Sequence, residues 1–126
     1  MNHGLVEALY EALRTGDRDG LAALLHEDFV AHFADGLPLG LGGVRRGVDA
    51  IDHGWWAIGR HFAVAAQPRE WIDCADGRLL VVGSYAGRAR ASGAPVDAAF
   101  AHLFAERDGR LASLVQLTDT ARWALT

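Results

Sequence analysis

Four stretches in the second half of the chain decide the fold: AVAAQPREWID (63–73), RLLVVGSYAGRARA (78–91), VDAAFAHLFAER (96–107) and RLASLVQLTDTAR (110–122). Two of the gaps between them hold the hairpin dipeptides Asp76-Gly77 and Asp108-Gly109, which accept the backbone of a tight turn. The third gap, Ser92-Gly93-Ala94-Pro95, is also turn composition. Consecutive hairpins make an antiparallel meander. The runs are about twice the usual strand length of 5–6 residues, so the sheet has to coil or bend. Pro68, Gly83 and Gly87 are the expected bulge positions.

Upstream the period changes. Val6, Leu9, Tyr10 and Leu13 repeat at i, i+3, i+4, i+7, which predicts a first amphipathic helix. Gly16-Asp17 ends it, and Asp17 caps a short second helix that buries Leu21, Leu24 and Leu25. His26-Glu27-Asp28 reads as a helix-end turn, Phe29–Ala34 as a short strand, and the glycine-rich stretch 35–47 as a loop. A third helix follows, with Val48, Ile51, Trp55, Ile58 and Phe62 forming one apolar stripe. Gly54 and Gly59 each cost such a helix about 1 kcal/mol relative to alanine, which predicts close packing against a flat surface. The expected architecture is α+β, with three N-terminal helices on a strongly curved antiparallel sheet. A single helix cannot fill the bend, so an apolar pocket remains at its open end.

Composition narrows the function. The 126 residues are the length of a single domain, 1–126, and carry a net charge of −4. All twelve basic residues are arginine, with Arg45-Arg46 the sole adjacent pair. No basic stripe is available for nucleic acid, and without lysine there is neither a Walker-A loop nor a lysine Schiff base. A lone cysteine, Cys74, cannot form an internal disulfide, which suits a reducing compartment. The first residues lack the pattern of a signal peptide and no window is apolar enough to span a membrane, so a cytoplasmic protein is expected. No cofactor is expected. The histidines show no metal-ligand spacing, and Gly40–Gly47 is not a dinucleotide fingerprint because Arg45 occupies its third glycine position. No serine sits in a nucleophile elbow.

The order helix, helix, short strand, glycine-rich loop, helix and meander resembles the nuclear transport factor 2-like superfamily, a cone-shaped, cystatin-like fold. Within it the chain is most similar to the SnoaL-like branch, which includes polyketide cyclases and ketosteroid-isomerase-related proteins. The match is carried by His26-Glu27-Asp28-Phe29, Gly40–Gly47, Phe100–Phe104, Asp108-Gly109-Arg110 and Leu117–Thr120, and it covers nearly the whole chain.

Candidate site residues follow from alternation and from that resemblance. Ala98, Phe100, His102 and Phe104 share one strand face, which puts an imidazole between two phenylalanines in the pocket. The alternative is a buried histidine satisfied by a backbone carbonyl. Asp119 comes late in an apolar run, and a carboxylate facing an apolar cavity has its pKa raised toward a general base's. It also suits a local turn with Thr120. The resemblance implies that Asp119 is the acid–base residue and His102 its assistant. Gln116 and Thr118 lie on the other face of the last strand, and a bulge would exchange the two sets. Tyr85 is a candidate oxyanion donor, Trp55 the pocket floor, and His32 a residue of the mouth. Trp56 faces elsewhere, Trp71 and Trp123 are equally suited to an interface, and Arg88 and Arg90 belong in solvent. A limonene-epoxide-hydrolase pattern needs an arginine between two cavity aspartates. Asp97 and Asp119 are the available pair, with no arginine clearly between them.

The leading expectation is a cofactor-independent cyclase or isomerase acting on a polyketide-type or other hydrophobic oxygenated metabolite. A noncatalytic binding domain for a hydrophobic ligand, and a structural dimer module with a filled pocket, are the competing readings. The face carrying Ala99, Ala101 and Leu103 is too apolar for water and predicts a homodimer.

Overall fold

In the computed structural model, which describes Met1–Thr126, the chain begins with α1 (His3–Thr15). Asn2 caps it by accepting from the Gly4 N–H at 2.8 Å, and Gly16 ends it in the left-handed conformation at φ 70°. Its buried stripe is Val6, Leu9 and Ala12. In α2 (Arg18–Leu24) the Asp17 carboxylate accepts from the Gly20 N–H at 2.9 Å, as the sequence predicts.

The sheet is larger than the meander. Strand β1 (Leu25–Phe33) starts directly after α2 and absorbs His26-Glu27-Asp28, which the sequence reading assigns to a turn. Strand β2 (Gly43–Arg46) lies inside the glycine-rich stretch expected to be a loop. It is a four-residue edge strand with Val44 in solvent, so it carries no periodic apolar signal. The meander follows as β3 (Phe62–Asp73), β4 (Leu79–Ala89), β5 (Pro95–Arg107) and β6 (Arg110–Thr118). The spatial order is β2-β1-β6-β5-β4-β3. All neighbours are antiparallel except β1 and β6, which run parallel, so the curved, unclosed sheet is mixed rather than antiparallel.

Register breaks bend it. Pro68 pairs with Gly83 and Glu70 with Val82, leaving Arg69 as the extra residue of a bulge. A Cβ at Gly83 or Gly87 would run into the backbone of β3, so these glycines serve close approach between strands.

The third helix departs most from its sequence pattern. It opens as a π-helical stretch, Ala50–Trp55, and continues as α3 (Trp56–His61). The Trp56 N–H reaches back to Ile51 O, five residues away, so the turn is wider than 3.6 residues. Val48 lies in the turn before the helix begins and falls off the expected stripe, 56% exposed, while Ile51, Ala57 and Ile58 are buried. Gly54 packs as predicted, since a Cβ there would collide with the Phe33 ring. Gly59 does not: a Cβ would meet nothing within 4 Å. The helix lies in the bend of the sheet, where Trp55 stacks on Phe29 at 5.9 Å and meets Phe33 edge-on at 5.5 Å. Phe29, Phe33, Phe62 and Phe104 fill the core beneath it, each worth about 1.5–3 kcal/mol by burial.

Candidate functional site

Between α1, α3 and the concave face of β3–β6 lies a cavity of about 880 Å³ with mostly apolar walls. Strand β5 delivers its polar centre. Val96, Ala98, Phe100, His102 and Phe104 all point inward and are buried, as alternation requires. Phe100 stacks on the imidazole with centroids 4.0 Å apart at 14°, and Phe104 meets it edge-on at 6.0 Å. Only 4% of His102 is exposed. Its Nδ1 lies 2.8 Å from the Tyr10 hydroxyl and its Nε2 2.5 Å from the Tyr85 hydroxyl. Burial, with no carboxylate at either nitrogen, lowers its pKa to about 3, so the ring is neutral at pH 7. Burial pushes both phenols upward, Tyr10 further through its neighbour Tyr85, so both keep their protons.

The proton positions in this chain follow from donor and acceptor counting. The Ala34 N–H donates to Gln116 Oε1 at 3.0 Å, which turns the Gln116 amide nitrogen toward Tyr85. That nitrogen donates to the Tyr85 oxygen at 2.9 Å. The Tyr85 hydroxyl has one acceptor within reach, His102 Nε2, and donates there. A neutral imidazole has one donor and one acceptor, so His102 carries its proton on Nδ1 and donates to the Tyr10 oxygen. The Tyr10 proton remains free at the cavity wall. Reversing the chain would leave a buried Tyr85 O–H without an acceptor, at a cost of about 1–3 kcal/mol. The arrangement is a hydrogen-bond relay that presents one donor to the cavity.

Sequence reasoning singles out His102, Tyr85, Gln116, Trp55 and Phe104, and the structure brings all five to the cavity wall. Phe100 supports the site from behind His102 without lining the cavity. Two expected residues are elsewhere. Asp119 lies one residue beyond β6, its side chain 48% exposed and 3.4 Å from Arg122, outside the cavity. Leu114 and Gln116 point in, so Val115 and Leu117 point out and Asp119 follows their parity. His32 pairs with outward-facing Val115 and lies 2.9 Å from Asp35, also outside the cavity. Asp97 is exposed, so the aspartate pair of an epoxide-hydrolase site is not assembled.

Several wall residues escape the sequence reading. Tyr10 looks like one more apolar position of α1. Trp56 joins Trp55 at the cavity because the π-helical turn redirects it. Trp71 and Trp123, expected to suit an interface, also line the cavity. After β6 a 3₁₀ turn, Thr120–Arg122, folds the chain back and buries Trp123 against Phe62 and Tyr85 at 5.2 and 4.9 Å. Thr118 fastens it, accepting from the indole N–H at 3.1 Å while donating to Ala99 O at 2.7 Å. The one signal for Tyr10 is a phenol on the buried stripe of a helix, which needs a partner for its hydroxyl. No three His, Cys, Asp or Glu side chains gather in a way that could hold a metal ion.

A curved mixed sheet wrapped on its helices around an apolar cavity, with a buried polar cluster in the wall, defines an NTF2-like domain. The chain belongs to the SnoaL-like domain family, whose model matches residues 6–114. An NTF2-like protein of unknown function from Burkholderia pseudomallei is 29% identical over 96% of this chain and 94% of its own, with a TM-score of 0.84. TerC, co-crystallised with polyporic acid, is 25% identical over 94% of this chain and 91% of its own, with a TM-score of 0.82. A Sinorhizobium meliloti protein provisionally named a polyketide cyclase is 27% identical over 90% of this chain and 94% of its own, with a TM-score of 0.73. No curated protein matches the sequence.

Proposed function

We propose that the cavity takes a small hydrophobic oxygenated molecule and promotes a carbonyl-centred rearrangement, a cyclisation or isomerisation of a polyketide-type or similar metabolite. The carrying observation is the relay that ends in an uncommitted Tyr10 O–H at an apolar wall. That hydroxyl donates to the carbonyl oxygen. As negative charge builds there, the His102 Nδ1–H strengthens its bond to Tyr10 and spreads the charge along the chain. Proton removal from the adjacent carbon falls to a different group from the one the sequence suggests, because Asp119 lies outside the cavity. Of the two carboxylates in the lining, Glu11 is paired with Arg14. Glu7, one turn before Tyr10, has no ion-pair partner and is assigned that step. The resemblance to a protein provisionally named a polyketide cyclase supports the substrate class.

The test is turnover of a diketone or polyketide mimic identified by screening. Tyr10→Phe is expected to lower kcat at least tenfold with folding intact, and Glu7→Gln to lower it comparably. Unchanged rates in both variants overturn the catalytic reading. A noncatalytic carrier is the second reading, favoured by the absence of any carboxylate at the relay itself. It predicts binding without turnover, weakened by Tyr10→Phe and indifferent to Glu7→Gln.

We also propose a cytoplasmic homodimer. Support comes from exposed Val115 and Leu117 on the outer face of β6, next to Ala99, Ala101 and Leu103 of β5. No helix is long and apolar enough to cross a membrane. A strictly monomeric sedimentation profile at micromolar concentration overturns the dimer.

A further inference from the structure

The rim of the cavity carries charge that its interior lacks. Arg60, in the last turn of α3, and Arg90, one residue beyond β4, both line it and both are exposed. Neither is in an ion pair: Asp52, whose carboxylate feels Arg60, is held by Arg18 at 2.9 Å, and Arg14, also at the rim, is tied to Glu11 at 2.5 Å. Arg90 is anchored. Its backbone N–H donates to His61 O at 2.9 Å and its Nε to Gly59 O at 2.7 Å, which leaves the two terminal nitrogens as a free fork.

Gly59 lines the same rim, next to Arg60 and under the Arg90 contact. Glycine in a helix costs stability relative to alanine, and close packing is the usual reason to keep it. That reason holds for Gly54 against Phe33 and fails for Gly59, where an added Cβ would stand in open space. What the missing side chain leaves is room beside two cations.

We propose that this rim is an anion subsite, so that the ligand is an apolar organic acid. Its hydrocarbon body occupies the cavity, and its carboxylate, sulfonate or ionised hydroxyl lies on Arg60 and Arg90 over the bare backbone of Gly59. The inference rests on the reading of the cavity as a small-molecule site and adds the charge of what enters it. The Tyr10 donor and the rim cations then select together: an acceptor oxygen inside, an anionic group at the mouth.

Two fluorescent probes with one skeleton test it: anilinonaphthalene sulfonate and uncharged phenylnaphthylamine. The protein is expected to bind the sulfonate about tenfold more tightly, the scale of one charge-assisted contact. High salt is expected to narrow that preference. In the double variant Arg60→Gln, Arg90→Gln the preference disappears while phenylnaphthylamine affinity stays within about twofold. Gly59→Ala is expected to raise Tm, because the helix gains a better residue, and to weaken sulfonate binding, because the methyl intrudes on the subsite. Equal affinity for the two probes, or a preference that survives the double substitution, overturns the subsite. Undiminished sulfonate binding by Gly59→Ala overturns the role given to the glycine. If neither probe binds, the small-molecule reading of the cavity fails as well; intact phenylnaphthylamine binding without an anion preference removes the subsite alone.

Discussion

The middle of β5 and the end of β6 each present a titratable side chain, and the two regions treat it in opposite ways. His102 has neighbouring strands on both sides, aromatic rings above and below it in its own strand, and a hydroxyl on each nitrogen. Asp119 has left the sheet, faces water and answers only to Arg122. Depth of coverage separates them. A polar group held on all sides loses its charge and gains a fixed direction, while one at a strand tip keeps its contact with solvent.

The largest expected effect probes the packing around His102. Phe104→Ala should cost about 3–5 kcal/mol in urea unfolding, because it opens a cavity beside the imidazole and under Tyr10. A loss below about 1 kcal/mol would mean that the β5 face is loosely packed and that the contrast with β6 is overstated.

Acid should reach the two regions differently. The His102 pKa in the fold, about 3, lies below its unfolded value near 6.5, so the unfolded chain binds the proton first. This contribution is complete above pH 6.5 and is lost as pH falls toward 3, amounting to about 2 kcal/mol by pH 5. Comparing unfolding free energies at pH 7 and pH 5 should show that drop shrinking in His102→Gln. An identical drop in the variant would place the acid sensitivity elsewhere.

The direction of the relay can be broken separately. Tyr85→Phe leaves His102 Nε2 and a Gln116 N–H unpartnered in a buried site and should cost about 1–3 kcal/mol. Tyr10→Phe removes the half-buried end of the relay and leaves the His102 Nδ1–H without its acceptor, so it should also cost about 1–3 kcal/mol while weakening ligand affinity. Nitrogen chemical shifts of His102 should report the proton on Nδ1 in the wild type. A proton on Nε2 would reverse the relay and take Tyr10 out of its donor role.

Particular residues show why the fold was more legible than the site. The hairpin dipeptides and long alternating runs carry their meaning locally, so strands β3 to β5 fall within a residue or two of the sequence reading. The placement of His102 was legible for the same reason, since alternation through the middle of a paired strand leaves no freedom. Strand β2 was not, because a short edge strand needs no apolar pattern. Trp56 depends on a π-helical turn, which shifts the face of every residue after it and leaves no mark in a 3.6-residue stripe. Tyr10 belongs to both the apolar stripe and the polar relay, and only a partner distant in sequence reveals the second role.

The smallest expected effect is the sharpest for the comparison. An acid after an apolar run calls for a purpose, yet at Asp119 the strand has already ended one residue earlier, at Thr118. Its parity is that of Leu117, 61% exposed, and its carboxylate has Arg122 and water for company. An exposed pair of this kind contributes about 0–1 kcal/mol. Asp119→Asn should therefore change stability by less than about 0.5 kcal/mol and leave ligand affinity and any turnover within about twofold of the wild type. The informative experiment sets it beside Tyr10→Phe on the same substrate. If the aspartate variant loses more activity than the tyrosine variant, the chain after β6 must fold inward when ligand binds, and the division between a covered β5 and an open β6 gives way on binding.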